Sequence, residues 1–179
     1  GEDMEQPIEI SLEEAYSGAR RTLLKGDKRL EINIPAGART GTKVRMAGAG
    51  GQGQAPGDLY LIVTVRPHPA FKREGDDLHA DVPVDVYTAV LGGEVRVPTL
   101  QGDMMLNVPA GSSTGKTFRL SGRGMPRLRA PQERGDFYAH LAVQVPGELS
   151  EHERELFAEL KALRGRPPAG AKDPAASKE

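Results

Sequence analysis

Two glycine-rich stretches of the chain carry the spelling of phosphate chemistry. Ala110-Gly111-Ser112-Ser113-Thr114-Gly115-Lys116-Thr117 differs from the nucleotide phosphate-binding loop only by alanine at its first glycine, and Gly48-Ala49-Gly50-Gly51-Gln52-Gly53 matches the dinucleotide fingerprint. Such loops work because their amides and lysine open a helix whose N-terminus faces the phosphates. Here Thr117-Phe118-Arg119-Leu120 continues as a strand, and Gly53 is followed by Pro56-Gly57 and another strand, so nucleotide binding is not expected. The four histidines, His68, His79, His140 and His152, have spacings that suit no metal site, and surface or turn positions account for them. Asp76-Asp77 behind Gly75 reads as a turn rather than a carboxylate pair. There is no cysteine, no serine in a nucleophile-elbow context and no suggested histidine–carboxylate pairing. Neither catalysis nor a metal or other cofactor has a visible carrier, and the expectation is a protein that binds rather than transforms.

The glycine-rich stretches recur because the chain is written twice. IPAGARTGTKVRMAGAG from Ile34 returns as VPAGSSTGKTFRLSGRG from Val108, an offset of 74 residues that also lays Ser11 over Asp85. GDLYLIVTV from Gly57 matches GDFYAHLAV from Gly135 at an offset of 78, so the second copy gains four residues in one loop. Alternating apolar residues predict strands at Pro7 to Ile10, Leu30 to Ile34, Leu59 to Val65, Glu94 to Val97, Met104 to Val108 and Phe137 to Val145. Short helices are expected at about Ser11 to Tyr16 and Asp85 to Leu91. Ser11 with Glu14 forms a capping box, and Gly18 and Gly92 end the helices at equivalent positions. The expected fold is mostly β, with a first β-domain over residues 4–70, a second over 71–147, a helix over 148–164 and a disordered tail over 165–179.

In that helix, a second capping box, Ser150 with Glu153, precedes a stripe of Leu156, Phe157, Leu160 and Leu163. The stripe could dock on its own domain; a contact with a second copy is the expected use, because so short a helix needs a partner surface. Composition narrows the partners. Lys and Arg number 24 against 25 Asp and Glu, so no global field draws in nucleic acid or anionic lipid. No run of apolar residues is long enough to span a membrane, and the absence of cysteine fits a reducing, cytoplasmic setting. Four Tyr, four Phe and no Trp argue against sugar stacking.

Small β-units have strand edges whose unpaired amides can accept an added peptide strand, with alternate side chains entering pockets. The candidates in the first copy are Ile8, Ile10, Leu23, Leu24 beside Arg20-Arg21, and Phe71 in a proline-rich turn. Core packing is the competing account, strongest for Ile10 and weakest for Phe71, whose surroundings are polar. A different reading takes Arg119, Arg123, Arg127, Arg129 and Arg134, gathered in the longer loop of the second copy, as a DNA contact; a solvated charged loop is the plainer account.

At SLEEAYSGARRTL, IPAGARTGTKVRMAGAG, HPAFKREGDDL, AVLGGEVRVPTLQG and RGMP the chain resembles the C-terminal substrate-binding region of DnaJ-type co-chaperones, from about Gln6 to Leu163. The resemblance implies two tandem β-sandwich-like barrels and a dimerising helix, binding of extended apolar stretches of non-native polypeptide, and delivery to a DnaK-type chaperone. It places the groove on the first copy, with apolar positions at Ile8, Leu23 and Phe71. It also implies a basic edge for an acidic chaperone tail at Arg21 and Lys25. No HPD tripeptide occurs, so the chain alone is not expected to stimulate a partner's ATPase. RRTLLKGDKRLEI runs straight through where some members insert a zinc module, which is the pattern of the zinc-free, curved-DNA-binding type. Lys25 stands where the family often has an aliphatic residue.

Overall fold

Each copy of the repeat folds the same elements in the same order. A computed structural model describes residues 1–51 and 56–165; the expected tail beyond Gly165, and Gly53 of the glycine-rich loop, lie outside the described residues. The first copy runs β1 (Met4–Ile10), α1 (Leu12–Ser17), β2 (Ala19–Lys25), β3 (Lys28–Ile34), β4 (Lys43–Met46) and β5 (Leu59–Val65). After β6 (Lys72–Glu74), the second runs β7 (Asp77–Asp85), α2 (Val86–Leu91), β8 (Gly93–Thr99), β9 (Gly102–Val108) and β10 (Thr117–Leu120). The additional short strands β11 (Pro126–Arg127) and β12 (Ala130–Arg134) then precede β13 (Phe137–Gln144), and α3 (Glu151–Arg164) follows. The chain forms two compact units, Gly1–Val143 and the segment from Gln144 onward.

The protein is mostly β. β1 pairs in parallel with β5, Met4 opposite Leu59 through Ile10 opposite Val65, and β4 lies antiparallel on the other side of β5. The second copy repeats this as β10-β13-β7, with β6 added outside β7. Separate two-stranded hairpins, β2-β3 and β8-β9, complete the copies. Alternation sends one side of each strand inward, so Ile32, Ile34, Leu59, Leu61 and Val63 are buried in the first copy, as are Val97, Val108, Phe137, Ala139 and Leu141 in the second.

The helices begin where their caps predict. Ser11 accepts the Glu14 amide and the Glu14 carboxylate accepts the Ser11 amide, both at 3.0 Å; Asp85 accepts the Thr88 amide at 2.7 Å. The phosphate-loop spelling is a turn that closes β10 onto β13: the Gly115 amide donates to Leu141 and the Leu141 amide to Lys116. Gly41, Val63 and Thr42 make the same two bonds in the first copy. Gly75-Asp76 forms the two-residue turn between β6 and β7, with Glu74 opposite Asp77.

The segment HPAFKREGDD joins the copies. The Arg73 guanidinium donates to the carbonyls of Ala38 at 2.7 Å, Gly37 at 3.1 Å and Gly75 at 2.8 Å. His68 accepts the amides of Ala70 and Phe71 on Nδ1, which leaves Nε2–H to donate to Glu13 at 2.7 Å. Its ring stacks on Phe71, and Phe71 meets Phe137 edge-on at 5.7 Å. The longer loop of the second copy also packs here. Gly37 has φ +90, and a Cβ on it would lie 2.7 Å from the Pro126 carbonyl oxygen, so that approach requires glycine.

Two histidines depart from the surface-or-turn expectation. His79 and His140 lie half-buried on β7 and β13, with Nδ1 of one 2.8 Å from Nε2 of the other and their rings stacked. Neighbouring strands bring them together over a sequence separation that spacing rules do not cover. Among the described residues, no group of three or more histidines and carboxylates could hold a metal ion, and no helix is long and apolar enough to cross a membrane.

Candidate peptide-binding groove

Two strand edges of the first copy face each other without pairing. β1 is the outer strand of the sheet β1-β5-β4, and β2 pairs on one side only, with β3. Side chains bridge the gap at both ends. Near one end the Arg21 guanidinium donates to the Glu9 carbonyl at 3.0 Å and to both oxygens of Glu14, at 2.7 and 3.0 Å. At the other, the Lys25 ammonium donates to the carbonyls of Ala49 and Gly50 and lies 3.7 Å from the Met4 sulfur. β2 alternates, so Arg21, Leu23 and Lys25 turn inward and Arg20, Thr22 and Leu24 outward. Leu23 lies between the two bridges, half-buried and packed on the core.

The candidate positions therefore separate. Ile8, 8% exposed, and Leu23 belong to this groove. Ile10 has no exposed surface and lies in the core. Leu24 is 70% exposed but on the outward face of β2. Phe71 lines a different cavity of about 500 Å³, with Leu12, Val65, Arg66 and His68. Neither Ile8 nor Leu23 borders that cavity. Arg21 and Lys25 both turn inward, and each is held by groups of its own chain.

Sequence reasoning missed Glu14, Met4 and the carbonyls of Ala49 and Gly50 as parts of the site. Glu14 has a double use: one carboxylate caps α1 and holds Arg21. The Arg21 hydrogen bonds, followed by the Ser11 amide, hold its pKa at about 2. A folded-state value below the ordinary carboxylate value of about 4.3 means stability present above that value and lost as pH falls toward 2. Glu14→Gln should accordingly flatten the acid limb of stability between about pH 4.5 and 2, read by urea midpoints across that range.

In the second copy the equivalent of this groove is shut. Val95, Val97 and Thr99 take the places of Arg21, Leu23 and Lys25, and Val97 has no exposed surface. Met4 is 44% exposed, whereas its counterpart Leu78 is fully buried.

The arginines of the longer loop are largely engaged with their own chain. Arg119 pairs with Asp136 at 2.7 Å, as Arg45 pairs with Asp58 in the first copy, so it belongs to the repeat's own frame. Arg123 donates to the Gln101 side chain, Arg127 lies 3.8 Å from Glu133, and the Arg134 guanidinium sits over the Tyr16 ring. Arg129 is exposed.

Residues 4–146 match the family model for the DnaJ C terminal domain. The chain belongs to that family. It is 43% identical over 150 residues to the chaperone protein DnaJ of Bartonella quintana, covering 82% of this chain and 39% of that protein. With the chaperone protein DnaJ of Rhodopseudomonas palustris it shares 43% over 155 residues, 84% of this chain and 40% of that one. With chaperone protein DnaJ 2 of Thermus thermophilus it shares 39% over 160 residues, 89% and 56%. The chain thus spans about two fifths to just over half the length of these curated relatives. Within this DnaJ C-terminal domain, the β1/β2 groove is the one place where two open strand edges, an accessible apolar side chain and inward cations coincide among the described residues.

Proposed function

We propose that this chain is the client-holding part of a DnaJ-type co-chaperone. An extended segment of non-native polypeptide adds as a strand to the open edge of β2, with an apolar side chain seated over Leu23 and against Ile8. The observation that carries the reading is the contrast between copies: the same element is open in the first and sealed in the second. In the full-length protein the held segment would pass to a DnaK-type chaperone, and Arg21 and Lys25 could receive an acidic chaperone tail once their own contacts are given up. No observation favours the DNA reading over this one.

A single groove burying one side chain supplies only about 1.5–3 kcal/mol, so useful holding calls for two grooves on one client. The α3 stripe supports a homodimer: Leu156, Leu160 and Leu163 are all exposed on that helix. Two tethered sites can raise affinity by about 10²–10⁴. The variant Phe157→Asp, Leu160→Asp should sediment as a species half the mass of the parent; equal sedimentation would remove the helix from the interface.

Anisotropy of a labelled, permanently unfolded polypeptide, titrated with this chain and then challenged with unlabelled duplex DNA, tests the reading. Binding that survives the DNA supports the groove. Binding that DNA displaces at low salt only would return the arginines of the longer loop to the centre of the account.

A further inference from the structure

The inward row of β2 has a pattern that limits what the groove can read. An added strand places every second side chain over Arg21, Leu23 and Lys25, and only the middle position is apolar. Resting on the client-binding reading above, we propose that the groove selects a single apolar side chain flanked two residues away on each side by polar ones, and not an alternating apolar run.

Both flanking cations are tied to groups of their own chain. Arg21 is clamped to Glu14 and the Glu9 carbonyl. Lys25 is held by the carbonyls of Ala49 and Gly50, beside the Met4 sulfur. An apolar side chain laid on either one must strip water from a charged group and offer no hydrogen bond in return, which costs free energy. A hydroxyl, amide or carboxylate at the same place keeps the cation solvated or bonded. The second copy shows what an apolar row does instead. With Val95 and Thr99 at the flanking places, Val97 is sealed and Leu78 has moved fully into the core. The two cations therefore prop the first groove open as well as limiting it to one anchor.

Three labelled peptides of equal length test this, each with a strand-forming polar background. The first carries one Leu with Ser two residues away on both sides, the second carries Leu at all three places, and the third carries Ser at all three. With the parent chain, the single-Leu peptide should bind within about threefold of the triple-Leu peptide, and the all-Ser peptide at least ~10-fold more weakly. Lys25→Met, checked for folding by urea melts, should tighten the triple-Leu peptide by about fivefold and leave the single-Leu peptide unchanged. Arg21→Met provides the same comparison from the other side should Lys25→Met fold poorly. A parent chain that binds triple-Leu ~10-fold or more tightly than single-Leu would overturn the one-anchor proposal while leaving strand addition at β2 in place. Peptide binding that Leu23→Ser does not weaken would overturn both.

Discussion

Phe137→Ala is expected to lose about 3–5 kcal/mol of folding free energy, the cost of emptying a fully buried aromatic site. Phe137 has no exposed surface, and it sits on β13 where Phe71 of the joining segment meets it edge-on. The loss would therefore strike both the core and the joint between copies. Domain stability is commonly about 5–15 kcal/mol, so such a loss should leave a visibly unfolded fraction near physiological temperature. Equilibrium urea unfolding checks it. A loss below about 1 kcal/mol would mean that the core can close around the missing ring, contrary to the packing described.

The second large effect falls on binding. Leu23→Ser should weaken capture of an unfolded polypeptide by about tenfold or more, because it removes the apolar side chain that stands between Arg21 and Lys25 in the inward row of β2. Leu24→Ser is the matching control. Leu24 is more exposed than Leu23 yet points outward, so its loss should change affinity less than about twofold. Phe71→Ser should also leave affinity unchanged, since Phe71 lines a separate cavity. Equal losses at Leu23 and Leu24 would show that general surface greasiness, and not a groove, holds the client.

Most of the fold was legible because it is local and repeated. Strand alternation, two capping boxes and a constant offset between copies are short-range signals, and a turn seen once in Gly41-Thr42-Lys43 could be checked against Gly115-Lys116-Thr117. The recurrence of an arginine on a carboxylate, Arg45 on Asp58 and Arg119 on Asp136, was written in the same repeat but hidden by the attraction of a cluster of five arginines. What sequence could not show was which edge faces which. Leu23, Leu24 and Phe71 are all apolar in a polar neighbourhood, and only the pleat and the crossing of chain segments separate an inward residue from an outward one and from a member of the joint. Lys25 is the clearest case. Its type marks a cation, and only the fold places that cation beside the carbonyls of Ala49 and Gly50. The His79–His140 contact escaped for the same reason, being a product of strand order.

On the reading proposed above, a client adds to the open edge of β2. Amide-resolved hydrogen exchange of the folded chain, with and without a saturating extended peptide, tests it most directly. Alternate amides between Ala19 and Lys25 should slow on binding, while those of β8 should not change. Protection appearing on β8, or around His68 to Phe71 with β2 unaffected, would contradict it.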